Sequence, residues 1–189
     1  MKLIIIEGTD QCGKDTLINS LSQDYAHTIK RHWGYPIGKT NEEKTAYQIN
    51  FFNWEFQLYN ILQTASNDIN DNSVIIWNRS HIGEFVYGTL YRNSNPETWV
   101  MNLEKKFCFD LADNIYLVCL YADPEFIVSQ DDGQSYSARL EDKKLEDNKF
   151  FDACEASSIQ KKLYLKVNEG IEYKSQQDIL NTVSNFINN

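Results

Sequence analysis

The chain has 189 residues, 42% of them hydrophobic and 24% charged, with a formal net charge of −9. That length can bury one sizeable core, and so acidic a surface repels nucleic-acid polymers and anionic membranes at long range. A small phosphorylated ligand is still admitted, because a few cations gathered in a cleft outweigh distant, screened charge.

The first expected strand, Leu3–Ile6, is a β-branched run too short for a signal core, and no later stretch approaches a membrane span. It runs into Gly8-Thr9-Asp10-Gln11-Cys12-Gly13-Lys14, after which Leu17, Ile18 and Leu21 recur at helical spacing. A strand, a turn opening on Gly8 and closing on Gly13-Lys14, and then a helix make the grammar of a phosphate-binding loop. Its glycines let successive N–H groups face one concavity, the helix adds its positive end, and the Lys14 ammonium reaches a terminal phosphate. Asp15 stands where Ser or Thr commonly follows the lysine, and Thr16 comes one place later. A carboxylate there repels phosphate unless magnesium or its water shell intervenes, so Asp15 and Thr16 are the candidate magnesium ligands.

Further strands are expected at Thr28–His32, Val74–Trp77, Ile115–Leu120 and Leu163–Val167, and helices at Asn41–Ala65, Ile82–Arg92, Pro96–Ala112 and Gln176–Ile187. Strand and helix in alternation imply an α/β domain with a parallel sheet covered on both faces. Ligands then bind where Gly8, Trp33 and Asn78 leave the carboxyl ends of their strands. The segment 123–148 holds few core-forming residues and reads either as a solvated loop with a frayed helix or as a lid carrying Arg139. Cys12, Cys108, Cys119 and Cys154 show no metal-ligand or disulfide spacing, so free thiols in a reducing cytoplasm are expected.

Four landmarks carry a family resemblance: the loop Gly8–Thr16, Tyr35-Pro36 after the second strand, Asn78-Arg79-Ser80 after the third, and the lid segment with Glu146 through Val167 behind it. Together they resemble the thymidylate kinase and deoxynucleoside kinase group, and above all the deoxynucleoside monophosphate kinases of bacteriophages. The resemblance implies an α/β P-loop NTPase, a three-layer sandwich of the nucleoside monophosphate kinase kind. It implies a five-stranded parallel sheet, residues 1–189 as one kinase domain, and a lid over about 123–148.

It also implies roles. Gly8, Gly13, Lys14, Asp15 and Thr16 would hold ATP and Mg2+, and Asp10 would contact the acceptor sugar. Arg79 would bridge donor and acceptor phosphates with its rigid fork. Gln11 stands where some members carry a loop arginine, so Arg139 would supply the transition-state cation from the lid. Phe52, Gln57 and Glu84 would line the acceptor pocket, with Tyr87 and Tyr91 on its sugar side, while Arg92 reads as surface charge and Lys39 as a weak phosphate contact. Asn78 departs from the family's carboxylate, and His81 reads as a capping or packing residue. A phosphate acceptor is largely an oxyanion near neutral pH, so no general base is required.

The leading expectation is therefore ATP- and magnesium-dependent phosphoryl transfer to a deoxynucleoside monophosphate, its partners being small nucleotides rather than nucleic acid or membrane. A homodimer is left open. Two rivals stand beside it: a deoxynucleoside kinase, which lacks here its carboxylate after the second strand, and a nucleotide-binding regulator without turnover.

Overall fold

A computed structural model describes residues 1–32, 35–66 and 72–189. Five parallel strands run through its middle: β1 (Lys2–Gly8), β2 (His27–His32), β3 (Ser73–Asn78), β4 (Ile115–Tyr121) and β5 (Lys161–Lys166), in the order β2-β3-β1-β4-β5. Alternation of side chains along each strand sorts the apolar residues into two cores. Leu3, Ile5, Ile75, Trp77, Ile115 and Leu117 face one way, and Ile4, Ile6, Val74, Ile76, Val118 and Leu120 the other.

The first core is covered by α2 (Asn41–Ser66), α3 (His81–Arg92), α4 (Glu97–Lys106) and α6 (Leu140–Ala156). The second is covered by α1 (Lys14–Leu21), α5 (Pro124–Ser129) and α7 (Gln176–Asn188). Three layers result, as the resemblance implies. A short antiparallel pair, β6 (Asn168–Glu169) and β7 (Glu172–Tyr173), precedes α7. β1 is flanked by β3 and β4, whose crossovers leave toward opposite sides, so the crevice of the sheet opens beyond Gly8.

Expected and observed elements agree closely, with three differences. The helix expected over Pro96–Ala112 stops at Lys106 and resumes as a 3-10 turn at Phe109–Leu111. Cys108 between them adopts a left-handed backbone (φ 55°), which an α-helix cannot accommodate. The segment 123–148 is mostly ordered: Pro124 opens α5, whose Phe126 and Ile127 are buried, and α6 starts at Leu140. Only residues 130–139 form a loop. Hydrophobic periodicity misses the first turns of α6 because they bury an ion pair, Lys143 with Glu146 at 3.0 Å, in place of apolar side chains. The β6–β7 pair lacks any such periodicity. Trp33 and Gly34 of the expected aromatic turn lie outside the described residues.

His81 takes the packing role. Its ring is edge-on to Phe56 at 4.9 Å, and its Nε2 lies 2.8 Å from Glu104 Oε1. Glu104 is fully buried and also accepts from the Ser157 hydroxyl and from the Ser158 amide and hydroxyl. Burial pushes its carboxyl up, but the hydrogen bonds from His81, Ser157 and Ser158 outweigh burial and hold it below the usual glutamate range. Replacing one partner of such a buried charged cluster costs about 3 kcal/mol. Glu104→Gln should therefore lose roughly that much in urea denaturation, since an amide cannot accept from all four donors.

Candidate active site

The loop Gly8–Lys14, expected to bind phosphate, is shaped by two glycines. At Gly8 (φ +134°) a Cβ would lie 2.0 Å from the Leu120 carbonyl oxygen of β4, so only glycine lets the chain leave the sheet there. Gly13 (φ +72°) caps α1 in the left-handed conformation and aims the helix amino end back into the loop. Thr9 and Cys12 bind each other across the turn at 3.0 Å, and the Tyr173 hydroxyl donates to the Gln11 carbonyl at 2.6 Å. Lys14 is buried, and its ammonium donates to the carbonyls of Gly8 (3.1 Å) and Thr9 (2.6 Å). Burial, reinforced by the charge of Arg79, lowers its pKa to about 8.

A cleft of about 680 Å³ opens over this loop, within the usual range of ligand sites. On the side of the second core it is lined by α1 together with Tyr173, Lys174, Gln176 and Ile179. On the other side it is lined by α2, α3 and the loop 130–139. The loop Gly8–Lys14 therefore sits between two walls of one cleft.

Arg79 stands beside that loop. It continues β3 with a left-handed backbone (φ 68°), rare for a residue with a side chain, and its amide donates to the Ile6 carbonyl at 2.9 Å. Its guanidinium pairs with Asp10, lies 3.4 Å from the Gly8 carbonyl, donates to the Tyr87 hydroxyl at 3.0 Å, and packs 5.1 Å from the Tyr87 ring centroid. Behind it, fully buried Glu7 accepts from the Ser80 hydroxyl (2.6 Å) and the Gly83 amide (3.1 Å), while Ser80 caps α3. β1 and α3 are thereby locked together across the cleft floor.

The residues expected from the sequence divide cleanly. Asp10, Gly13, Lys14, Asp15, Thr16, Phe52, Arg79 and Glu84 all line the cleft, with Gly8 at its floor. Asn78 donates to the Asp15 carboxylate, and its own Oδ1 is buried without a partner among the described residues. Gln57 is exposed and points away. The inner face of α2 is marked by Gln48, Phe52, Glu55, Phe56 and Tyr59, and Gln57 lies nine residues from Gln48, half a turn of the helix wheel away. Of the glutamines of α2, Gln48 lines the cleft.

Arg92 corrects a second expectation. It is buried, not a surface charge, and pairs with Glu84. Burial raises the Glu84 carboxyl, opposed by Arg92 and Gln48. Arg139 lies outside the cleft: its side chain is 74% exposed and comes no closer than 3.9 Å to Glu141 and 4.0 Å to Asp142. Lys39 is exposed and does not line the cleft. Among the residues missed, Tyr173, Lys174 and Tyr136 lie on segments without hydrophobic period, so only tertiary contact reveals them.

No family model matches the chain, and no curated protein matches it. Solved structures do. The YorR protein of Bacillus subtilis, solved with phosphorylated GDP, matches with a TM-score of 0.62 at 18% identity, over 98% of this chain and 95% of that one. Thymidylate kinase from Candida albicans, described as having broad substrate specificity, matches with a TM-score of 0.66 at 16% identity, over 99% and 91%. At such identities the likeness is one of fold. The fold is the one found in thymidylate kinase and the YorR protein, a five-stranded parallel sheet between helical layers.

The depressed Lys14 pKa gives a signed expectation. Binding of an anion such as inorganic triphosphate should weaken as pH rises through about 8, where this ammonium loses its proton. Titration calorimetry from pH 7 to 9.5 should show that step in the wild-type chain and not in Lys14→Ala. Between about 8 and the ordinary 10.5 the unfolded chain keeps a proton that the folded chain releases, so the contribution of Lys14 to stability rises across that window.

Proposed function

We propose that this chain transfers the γ-phosphoryl group of ATP to a deoxynucleoside monophosphate, giving the diphosphate. One observation carries the reading: Arg79, forked between Asp10, the Gly8 carbonyl and Tyr87, lines the cleft beside the loop Gly8–Lys14, between the residues of α1 and those of α2 and α3. A planar cation so placed can hold phosphates arriving from both sides and meet the charge that spreads over the migrating group.

The donor would lie along the loop and α1, its phosphates on the main-chain amides and Lys14 and its base toward Tyr173 and Lys174. The acceptor would lie between α2 and α3, its base against Phe52 with Gln48, Glu84 and Arg92 as the polar groups in reach, and its sugar near Asp10. Support for a nucleotide acceptor comes from the neighbours, one a thymidylate kinase and the other holding phosphorylated GDP. Both thymine and guanine nucleotides therefore belong in the first test. Arg139 would join only if the lid carried it inward.

Magnesium fits the donor set. Asp15, Thr16 and the orphaned Oδ1 of Asn78 are hard oxygen donors beside the phosphate loop. Among the described residues no cluster of three or more His, Cys, Asp or Glu could hold a metal without the nucleotide. Magnesium keeps several waters and leans on substrate phosphates, so it asks for few protein donors. When bound, it supplies positive charge to the phosphate oxygens. The chain's own share is to position the two substrates and exclude water between them.

A panel of nucleosides and of ribo- and deoxynucleoside monophosphates, with ATP and magnesium and ADP formation as readout, tests the proposal. Phosphorylation of a deoxynucleoside monophosphate supports it, whereas turnover of ribonucleotides only, of nucleosides alone or of nothing overturns it. Lys14→Ala should abolish transfer with an unchanged circular dichroism spectrum, and Arg79→Lys should lower kcat by about 10²–10³-fold. If Asp15 helps to hold magnesium, Asp15→Ala should require more of it, and an unchanged magnesium titration would remove that role. Gln48→Ala should raise the acceptor KM about tenfold while Gln57→Ala leaves it alone, a contrast that reads directly which face of α2 meets the base.

A further inference from the structure

The loop 130–139 reaches into the cleft through a tyrosine. The Tyr136 ring stacks on Tyr91 at 4.7 Å with an interplanar angle of 5°, on Tyr87 at 5.3 Å and 24°, and meets the edge of Tyr35 at 5.2 Å. These contacts draw on three separate parts of the chain: the segment after β2, two successive turns of α3, and the loop itself. Offset and edge-on ring pairs are favourable beyond the area they bury.

The platform under Tyr136 is tied to the rest of the chain on two sides. The Tyr91 hydroxyl donates to Glu146, which also holds buried Lys143, so the helix that follows the loop pins the ring on which the loop rests. The Tyr87 hydroxyl accepts from Arg79, which pairs with Asp10. Arg92 is close enough to Tyr136 to oppose the effect of burial on its hydroxyl. Tyr136 itself remains 39% exposed. It is seated against a built surface but not enclosed by it, as a detachable contact must be.

We propose that Tyr136 is the latch of the lid, holding the loop 130–139 on the acceptor side of the cleft through the tyrosine cradle. This rests on the reading of the α2–α3 wall as the acceptor side. On that reading the lid senses the acceptor and not ATP, because its anchor touches Tyr35, Tyr87, Tyr91 and Arg92 and none of the residues around Tyr173. Tyr136 is a positioning residue: it acts on Arg79 through Tyr87, one ring away from the reacting groups.

The test separates the latch from the reaction. Arg139 lies at the end of the loop and is exposed, so tryptic cleavage after it reports release of the loop without any nucleotide. Tyr136→Ala should speed that cleavage at least fivefold, and Tyr136→Phe, which keeps the ring, should stay within twofold of wild type. Equal melting temperatures for the three proteins would assign the change to the loop and not to global unfolding. Wild-type cleavage rates in Tyr136→Ala would overturn the latch. With both substrates, Tyr136→Ala should raise the acceptor KM about tenfold with the ATP KM within twofold, and Tyr136→Phe should restore it. A shift in the ATP KM alone would overturn the assignment to the acceptor. Should the wild-type chain phosphorylate no monophosphate, the proposed reaction fails while the cleavage experiment still decides whether Tyr136 holds the loop.

Discussion

The approach of Gly8 to the Leu120 carbonyl is the constraint on which the site rests. A side chain at that position would collide with the backbone of β4, so the central strand can leave the sheet only as glycine. Because β3 and β4 flank β1, the loop that follows emerges in the crevice between the two halves of the sheet. Everything around the cleft is placed relative to that exit. α1 turns its amino end back toward it, Arg79 closes it from β3, and the β6–β7 pair is tied to it through Tyr173 and Gln11.

Charge is the second organising element. The chain carries a net −9, yet Lys14, Arg79 and Arg92 all meet in one cleft. Field focusing in a cavity makes such local charge more influential than the distant surface. Each cation is held by a partner that also fixes its direction: the carbonyls of Gly8 and Thr9, Asp10 with Tyr87, and Glu84. Buried pairs of this kind add little net stability against an apolar alternative, but removing one partner is costly. Their value here is geometric. They fix the direction of each cation before any ligand enters the cleft.

The chain of contacts from the loop 130–139 through Tyr136, Tyr87 and Arg79 to Asp10 unites two features that look separate in the sequence. One is a polar, Gly-containing loop, and the other an arginine after a strand. A ring stacked on the ring that touches the arginine makes the position of the loop and the orientation of the guanidinium parts of one packing arrangement.

The sequence by itself determined the fold class, the strands and most helices, and the glycine turn between β1 and α1, because each is written in local periods and in glycine positions that backbone sterics demand. It also determined which residues bring charge and oxygen donors to the site: Asp10, Lys14, Asp15, Thr16 and Arg79 lie next to strand ends whose direction is legible. Tertiary structure alone decided which glutamine of α2 lines the cleft, since the phase of α2 depends on what packs beneath Phe52 and Phe56. It decided that Arg92 is buried against Glu84, that Arg139 is out in solvent, and that Tyr136 meets Tyr35, Tyr87 and Tyr91. A helix period tells which residues share a face. Only the packing of that face against the rest of the chain tells what the face meets.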